Sequence, residues 1–140
     1  MLIIRPIQDK DQQARFCEAC GVPFFVDALA YAAYEEKEFL GISQFSVGDE
    51  YGTIYHLAPK MGIKDNEALF IMGRQTMNWI DLLGIHTCRC HVDATTPKLL
   101  FALGFTNAPQ DGYIYADMTG MFDGACGGHC NLAELLKEED

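Results

Sequence analysis

Basic residues are scarce in this sequence of 140 residues. It contains 10 Lys and Arg against 20 Asp and Glu, so the formal net charge is −10. Proteins that bind nucleic acid or an anionic membrane surface usually present a basic patch, so this composition argues against both partners. The negative charge is compatible with a cationic or amine substrate, although it also serves solubility.

Long apolar runs are also missing. No run is long enough to cross a bilayer, and the apolar part of the first five residues, MLIIR, is too short for a signal peptide. We therefore expect an intracellular, cytoplasmic protein whose six cysteines stay reduced. With 49% hydrophobic and 21% charged residues, the chain has the composition of one globular domain with an ordinary core.

Apolar periodicity and turn residues predict a mixture of strands and helices. Strands are predicted at residues 1–7, 27–34, 39–47, 51–57, 85–92 and 113–118, with a further strand beginning at Phe105. Helices are predicted between Asp9 or Asp11 and Gly21, over residues 67–83, from Thr95 or Thr96 to Gly104, and from Asn131 onward. Adjacent strands mixed with helices indicate an α/β (α+β) fold with helices on both faces of a mixed sheet.

The longest predicted helix, residues 67–83, has one largely apolar face. Asp65 or Asn66 can cap its start, and Gly84 ends it. The residues that share the face at helical spacing are Leu69, Met72, Thr76, Trp79, Ile80 and Leu83.

Four local motifs, in this order, resemble the GNAT superfamily of N-acyltransferases. Residues 34–41, YEEKEFLG, are similar to a family hairpin, and residues 55–59, YHLAP, are similar to the end of its fourth strand. Residues 99–105, LLFALGF, resemble its closing helix, and residues 113–118 resemble its last strand. The resemblance covers residues 1–120 and implies a mostly antiparallel central sheet whose strands 4 and 5 splay apart. Residues 121–140 are then a Gly- and Cys-rich loop with a short acidic C-terminal helix.

The resemblance implies an acyl-coenzyme A site in the opening between the strands at 51–57 and 85–92. The family's fourth strand offers backbone groups to the pantetheine arm, which implies Leu57, Ala58 and Pro59 here, with an amide near Leu57 polarising the acyl carbonyl. The next loop and the helix start hold the pyrophosphate, because a helix N-terminus attracts anions and glycine permits close approach. The residues implied there are Gly62, Ile63, Lys64, Asp65 and Asn66.

Two departures from the family's pattern concern this loop and the closing helix. The family usually has Arg/Gln-x-x-Gly-x-Gly/Ala in the loop, whereas residues 60–67 read KMGIKDNE and keep only Gly62. Asp65 and Glu67 place negative charge where phosphates would lie, and the loop's two lysines could offset it. Alternatively, both acidic residues cap the helix and complement its dipole. The tyrosine that many members use as a general acid is replaced by LLF at residues 99–101.

The candidate catalytic residues lie on the fourth predicted strand. A neutral histidine can deprotonate an ammonium substrate, which makes His56 the candidate base, while Tyr51 and Tyr55 could act as acids or hold a water molecule. Strand alternation predicts that both tyrosines share a face with Leu57 and that His56 lies on the other face. The alternative is that His56 is a hydrogen-bonded strand residue and that the tyrosines are packing residues.

Three groups of cysteine and histidine have spacings that zinc could use. The cysteines of the first two fall on apolar faces of a predicted helix and strand, where buried cysteine is common, and we interpret them as core, with His91 facing the other way. The third lies among glycines and is a candidate metal or thiol site, one ligand short of a closed zinc site, although a metal cofactor is not expected. The groups are Cys17 and Cys20; Cys88, Cys90 and His91; and Cys126, His129 and Cys130.

Three hypotheses for the function follow. The first is an acyl-coenzyme A-dependent N-acyltransferase, with acetyl-coenzyme A as the simplest cosubstrate, acting on an amine of a small molecule or peptide. The second is a GNAT-fold sensor or protein-interaction module that has lost the coenzyme site. The third is a metal- or thiol-responsive protein that uses the C-terminal Cys and His residues. A homodimer is possible, since dimers are common in the resembling family.

Overall fold

The computed structural model describes residues 1–123, which form six strands and three helices. Within these residues the predicted order of the elements is confirmed with one exception, the strand expected at Phe105, and the helix predicted from Asn131 lies outside the described residues. In chain order the elements are β1 (Leu2–Pro6), α1 (Lys10–Cys20), β2 (Leu29–Glu35), β3 (Glu38–Val47), β4 (Gly52–Pro59), α2 (Asn66–Leu82), β5 (Thr87–His91), α3 (Pro97–Leu103) and β6 (Tyr113–Asp117).

A single six-stranded sheet has the order β1-β2-β3-β4-β5-β6. Every neighbouring pair is antiparallel except β4 and β5, which are parallel. This parallel pair is short, because only residues 52–54 of β4 are in register with residues 88–90 of β5. The second half of β4 therefore leaves its partner, which confirms the predicted mixed, mostly antiparallel sheet with separated fourth and fifth strands.

Helices cover both faces of the sheet, as predicted. On one face, α2 and α3 bury the larger core, which includes Leu57, Met72 and Leu103. On the other face, α1 packs against β3 and buries a smaller cluster around Cys17 and Ile42. None of the helices within residues 1–123 has both the length and the apolar character needed to span a bilayer.

Side-chain caps define where the helices begin, and glycines end two of them. Asp9, Asp65 and Thr96 are the N-caps, and each accepts a hydrogen bond from a backbone N–H in the first turn. Gly21 and Gly104 follow α1 and α3 in the left-handed region, with φ of 70° and 108°. These signals are local in sequence, which is why the helix bounds match the predicted ones closely.

Two predictions about local structure are wrong. Phe105 does not begin a strand, because its N–H is used to close α3 on the carbonyl of Leu100 at 3.0 Å and its ring is buried in the core. Leu83 does not lie on the buried face of α2, because the helix ends at Leu82 and Leu83 is 53% exposed.

Candidate active site

A β-bulge lies in β4 where it pairs with β3. Gln44 pairs with His56, but the next pair in the ladder skips Tyr55, which has no partner of its own. The ring of Phe25 contacts the rings of both Tyr55 and His56, at centroid distances of 5.2 and 5.3 Å. A bulge re-aims the side chains beside it, and here two consecutive residues approach the same aromatic ring.

The bulge overturns the alternation predicted for this strand. Leu57 and Ile54 are both buried in the core that α2 covers. Tyr55 and His56 meet Phe25 on the opposite face. The prediction that Tyr55 shares a face with Leu57 is wrong, because one extra residue resets the two-residue period of the strand. His56 does lie on the face opposite Leu57, as predicted.

His56 is held by a chain of buried glutamines. Its Nδ1 lies 3.0 Å from Nε2 of Gln44, a residue with no exposed surface. Gln44 accepts two hydrogen bonds at Oε1, one from Nε2 of Gln13 at 3.0 Å and one from the backbone N–H of Phe25 at 3.1 Å. Gln13 is also fully buried, so the chain links the face of β4 to α1.

The ends of this chain fix the direction of every hydrogen bond in it. An ammonium group and a backbone N–H can only donate, and a carbonyl can only accept. The Lys10 ammonium donates to Gln13 Oε1 at 3.0 Å, and Gln44 Nε2 donates to the carbonyl of Pro23 at 2.7 Å. The nitrogen of the Gln44 amide therefore faces His56 Nδ1 as a donor, so the neutral imidazole carries its proton on Nε2.

This environment keeps the His56 ring neutral. Burial lowers the pKa of His56 below its usual range, and the nearby His91 lowers it further. A second proton on Nδ1 would also point at the donating amide of Gln44. Since the lone pair of Nδ1 is already engaged and Nε2 carries the proton, His56 is a hydrogen-bond donor. The geometry disfavours its predicted role as a general base.

The backbone amide of Leu57 is engaged within the protein. Its N–H donates to the carbonyl of Ala94 at 2.9 Å. Ala94 belongs to the segment after β5, so this bond crosses the opening between β4 and β5. The resemblance implies that an amide near Leu57 polarises an acyl carbonyl, but the donor at Leu57 itself is committed to Ala94.

A cavity of about 560 Å³ opens beside the separated ends of β4 and β5. Its walls come from the end of β4, the loop before α2, the start of α2 and residues 93–98. His56 also lines it, while Gly62, Tyr51 and Tyr55 do not. Seven of the eight residues predicted to bind the coenzyme line the cavity, namely Leu57, Ala58, Pro59, Ile63, Lys64, Asp65 and Asn66.

The loop before α2 is shaped by a turn and a helix cap. Gly62 has φ of 89° in a turn that the Ile63 N–H closes on the carbonyl of Lys60 at 2.9 Å. A Cβ on Gly62 would meet no described atom within 4 Å, so the backbone conformation, and not a close neighbour, requires glycine. Asp65 accepts from the N–H of Ala68 at 3.0 Å, which confirms the alternative that it caps α2.

The charge of the cavity lining is mixed. Lys64 and Lys98 contribute two cations, and Asp65 and Asp93 contribute two carboxylates. Asp65 already uses one of the amides at the start of α2 that an anion could bind. The apolar wall at residues 57–59 and the volume suit a pantetheine arm, and the two lysines are the groups that could meet its phosphates.

The two candidate tyrosines have partners outside this cavity. The Arg89 guanidinium lies 4.3 Å from the ring centroid of Tyr51 and 4.0 Å from that of Tyr113. The hydroxyl of Tyr55 lies 2.8 Å from Oγ of Ser46. Tyr51 therefore belongs to a cation–π cluster and is separate from the cavity.

A second hollow, of about 290 Å³, adjoins Tyr55. Phe25 lines it and also contacts His56, so this ring connects the hollow to the bulge of β4. Two aromatic rings with a carboxylate nearby form a surface that attracts an ammonium group. The lining residues are Phe25, Asp27, Ala28, Ser46 and Tyr55.

The cysteines of the described residues belong to the core. Burial raises the pKa of Cys17 to about 11 and the pKa of Cys20 and Cys90 to about 12, and it raises the pKa of Cys88 well above its usual range. All four are buried and unbridged, which confirms their interpretation as core residues. No group of three or more His, Cys, Asp or Glu within residues 1–123 could hold a metal ion. The candidate metal residues Cys126, His129 and Cys130 lie outside the described residues.

Important parts of this site are not predicted by the sequence patterns. Gln44 gives a weak signal, because an amide between the apolar Ile42 and Phe45 needs a hydrogen-bond partner if it is buried. Gln13 and Ala94 give no signal, since their contacts join segments far apart in sequence.

The sheet order, the short parallel β4–β5 pair and the helices on both faces are those of the GNAT fold, the fold of N-acetyltransferases. No protein-family profile and no curated protein matches the sequence. Among similar solved structures is the PaiA N-acetyltransferase of Thermoplasma acidophilum in complex with coenzyme A, with a TM-score of 0.66 and 12% identity. The IAA acetyltransferase of Bacillus cereus gives 0.64 and 11%, and the Campylobacter jejuni N-acetyltransferase PseH in complex with acetyl coenzyme A gives 0.54 and 13%. Each alignment covers 84% of this chain and 99% of the other.

Proposed function

We propose that this protein is an acyl-coenzyme A-dependent N-acyltransferase that transfers an acyl group, most simply acetyl, to an amine of a small molecule or peptide. The observation that supports this function best is the cavity of about 560 Å³ at the separated ends of β4 and β5. Two similar structures of the same fold were solved with coenzyme A or acetyl coenzyme A. A cytoplasmic location and a homodimer stay predictions from the sequence.

The cosubstrate is proposed to lie along the end of β4. Backbone groups of residues 57–59 border the pantetheine arm, and the turn at Gly62 leads to the start of α2, where the phosphates would lie. Lys64 and Lys98 attract the phosphates, and Asp65 opposes them. Because these charges oppose one another, coenzyme A should bind more weakly here than to a loop that offers several free amides to the phosphates.

The acceptor amine is proposed to enter from the hollow beside Phe25 and Tyr55. Its rings attract a cation, and Asp27 adds a negative charge. The ammonium releases its proton to water in this hollow, because His56 does not act as a base. The net charge of −10 favours the approach of a cationic acceptor.

Titration calorimetry with coenzyme A tests the first step of this function. The Asp65→Asn variant keeps a good N-cap but removes a negative charge near the proposed phosphates, so it should bind coenzyme A about fivefold more tightly, which is about 1 kcal/mol. The matched variant is Asp49→Asn, which changes an exposed carboxylate that does not line the cavity and should leave the affinity unchanged. Absence of binding at millimolar coenzyme A would contradict the proposed function.

Acyl transfer itself is tested with acetyl coenzyme A and a panel of amines, by following the release of free coenzyme A thiol. Turnover with at least one amine is expected, with preference for amines that carry an apolar or aromatic group able to contact Phe25 and Tyr55. Phe25→Ala should raise the KM for such an amine. An unchanged KM would place the acceptor elsewhere.

The second candidate function is a sensor or protein-interaction module that keeps the fold without catalysis. Two observations favour it: Leu57 N–H is bonded to Ala94, and Asp65 occupies an amide at the start of α2. The closing helix α3 also lacks a tyrosine, and its Phe101 is 55% exposed. This function predicts no transfer to any amine and no coenzyme A binding. The third hypothesis, a metal- or thiol-responsive tail, stays a prediction that metal analysis of untagged protein would test.

A further inference from the structure

The Nε2–H of His56 is the polar edge of a ring that lines the large cavity. Within residues 1–123, every buried side-chain nitrogen or oxygen has a hydrogen-bond partner. The described contacts give Nε2 of His56 no such partner, so this atom is not fully buried. Because His56 lines the cavity of about 560 Å³, a neutral and oriented N–H donor is available beside the end of β4.

The neighbouring backbone donor is committed elsewhere. The Leu57 N–H is bonded to the Ala94 carbonyl at 2.9 Å. Breaking this bond to serve a ligand would leave the Ala94 carbonyl without that donor, at a residue that is 4% exposed. His56 is the preceding residue of the strand and offers a donor without any such loss.

We propose that His56 donates a hydrogen bond from Nε2 to the carbonyl oxygen of the transferred acyl group, and that Gln44 and Gln13 are positioning residues that keep the proton on Nε2. This inference rests on the acyltransferase function proposed above. Gln44 makes one tautomer the stable one because its amide nitrogen donates to Nδ1. Lys10, donating to Gln13, sets the direction of the whole chain.

The donor acts at the step where charge develops. The free amine nitrogen forms a bond to the carbonyl carbon while the C=O π pair moves to oxygen, where the N–H of His56 stabilises the negative charge. When the pair returns, the C–S bond breaks and coenzyme A leaves as a thiolate. The thiolate takes the proton released by the new amide nitrogen. Loss of one such donor typically lowers kcat by about 10²–10³-fold.

Nitrogen NMR of histidine tests the tautomer without any ligand. Two-bond ¹H–¹⁵N spectra of ¹⁵N-histidine-labelled protein show which nitrogen carries the proton, and His56→Gln assigns the signal by its disappearance. A neutral ring with the proton on Nε2 is expected at pH 7. In Gln44→Glu the carboxylate accepts from Nδ1, so Nδ1 should carry a proton, and the spectrum shows whether Nε2 has lost its own. A wild-type ring protonated on Nδ1 would overturn the proposal.

Kinetics of acyl transfer test the donor itself. His56→Phe should lower kcat by about 10²–10³-fold, and His56→Gln should lose less because its amide can still donate. His86→Phe and His86→Gln are the matched controls, since His86 is exposed and paired with Asp81, and neither residue lines the cavity. Coenzyme A binding, measured by calorimetry, should change less than about threefold in all four.

The outcomes separate the two proposals. If wild-type protein does not bind coenzyme A, the proposed function fails and this role of His56 fails with it. If wild-type protein binds coenzyme A and turns over, but His56→Phe has the kcat of wild type, only the role of His56 is overturned. If His56→Phe does not fold, the kcat values of His56→Gln and Gln44→Glu are compared with that of wild type instead. An undiminished kcat in Gln44→Glu despite a moved proton would overturn the proposal.

Discussion

Replacing Gln44 by leucine is a direct test of the hydrogen-bonded chain behind His56. Leucine has a similar volume but cannot donate or accept a hydrogen bond. The N–H of Phe25 and the carbonyl of Pro23 would both lose the partner that Gln44 now provides, at 3.1 and 2.7 Å. Nε2 of Gln13 would lose its 3.0 Å contact but keep the carbonyls of Phe25 and Ala28 as acceptors.

The expected loss of stability follows from these contacts. Each buried polar group left without a partner costs about 1–3 kcal/mol. The Phe25 and Pro23 groups are only partly buried, so water recovers some of that cost. We expect Gln44→Leu to lower the free energy of unfolding by about 2–3 kcal/mol. That is a large share of the total for a domain of this size.

Urea unfolding followed by circular dichroism measures this loss. The midpoint should fall while the slope with denaturant stays constant, because the same surface is exposed on unfolding. Gln110→Leu is the matched control, since Gln110 is exposed and its side chain has no described hydrogen bond, and it should change stability by less than about 0.5 kcal/mol. If Gln44→Leu equals this control, the chain from Lys10 to His56 contributes nothing, and the reasoning about the tautomer loses its basis.

Three further predictions concern the backbone, pH and the helix cap. Gly41→Ala should lower the free energy of unfolding, measured in urea, by about 1–3 kcal/mol, because the new Cβ would lie 2.7 Å from the Ala58 carbonyl oxygen. A variant as stable as wild type would contradict the close approach of β3 and β4. Burial lowers the pKa of folded His56, so its contribution to stability is complete above about pH 6.5 and declines as the pH falls through that value. Wild type should therefore lose more stability than His56→Gln between pH 7.5 and 5.5. Equal losses of stability in the two proteins would refute this prediction. Asp65→Ala should cost about 1 kcal/mol of stability and Asp65→Asn much less, whereas equal losses would exclude a capping role.

Local signals explain how much of the fold could be predicted. Asp9, Thr96, Gly21 and Gly104 act within a few residues of themselves, so the ends of α1 and α3 can be read from the sequence. The antiparallel neighbours β2, β3 and β4 also follow, because short turns join them in the sequence. The single wrong strand, at Phe105, fails because helix closure by the Phe105 N–H competes with sheet pairing.

The candidate site could be predicted only in part, because its chemistry depends on register. The position of the cavity follows from the order of the elements, and seven of its predicted residues line it. The bulge at Tyr55 depends on how β3 and β4 pair, which no local pattern shows. The donor state of His56 depends further on Gln13, which is 43 positions away in the sequence (56 minus 13) and reaches it through Gln44.

In the proposed function, the donors that face the acyl carbonyl matter more than the number of glycines in the loop before α2. Gly62 serves a turn, and Asp65 serves as a cap, so neither residue decides the chemistry at β4. The bond from Leu57 to Ala94 removes one donor from the opening. The bulge, with Gln44 behind it, places another donor one residue earlier at His56. Gln44 satisfies backbone groups of Pro23 and Phe25, and in the proposed mechanism the same amide also holds the imidazole of His56 as a donor.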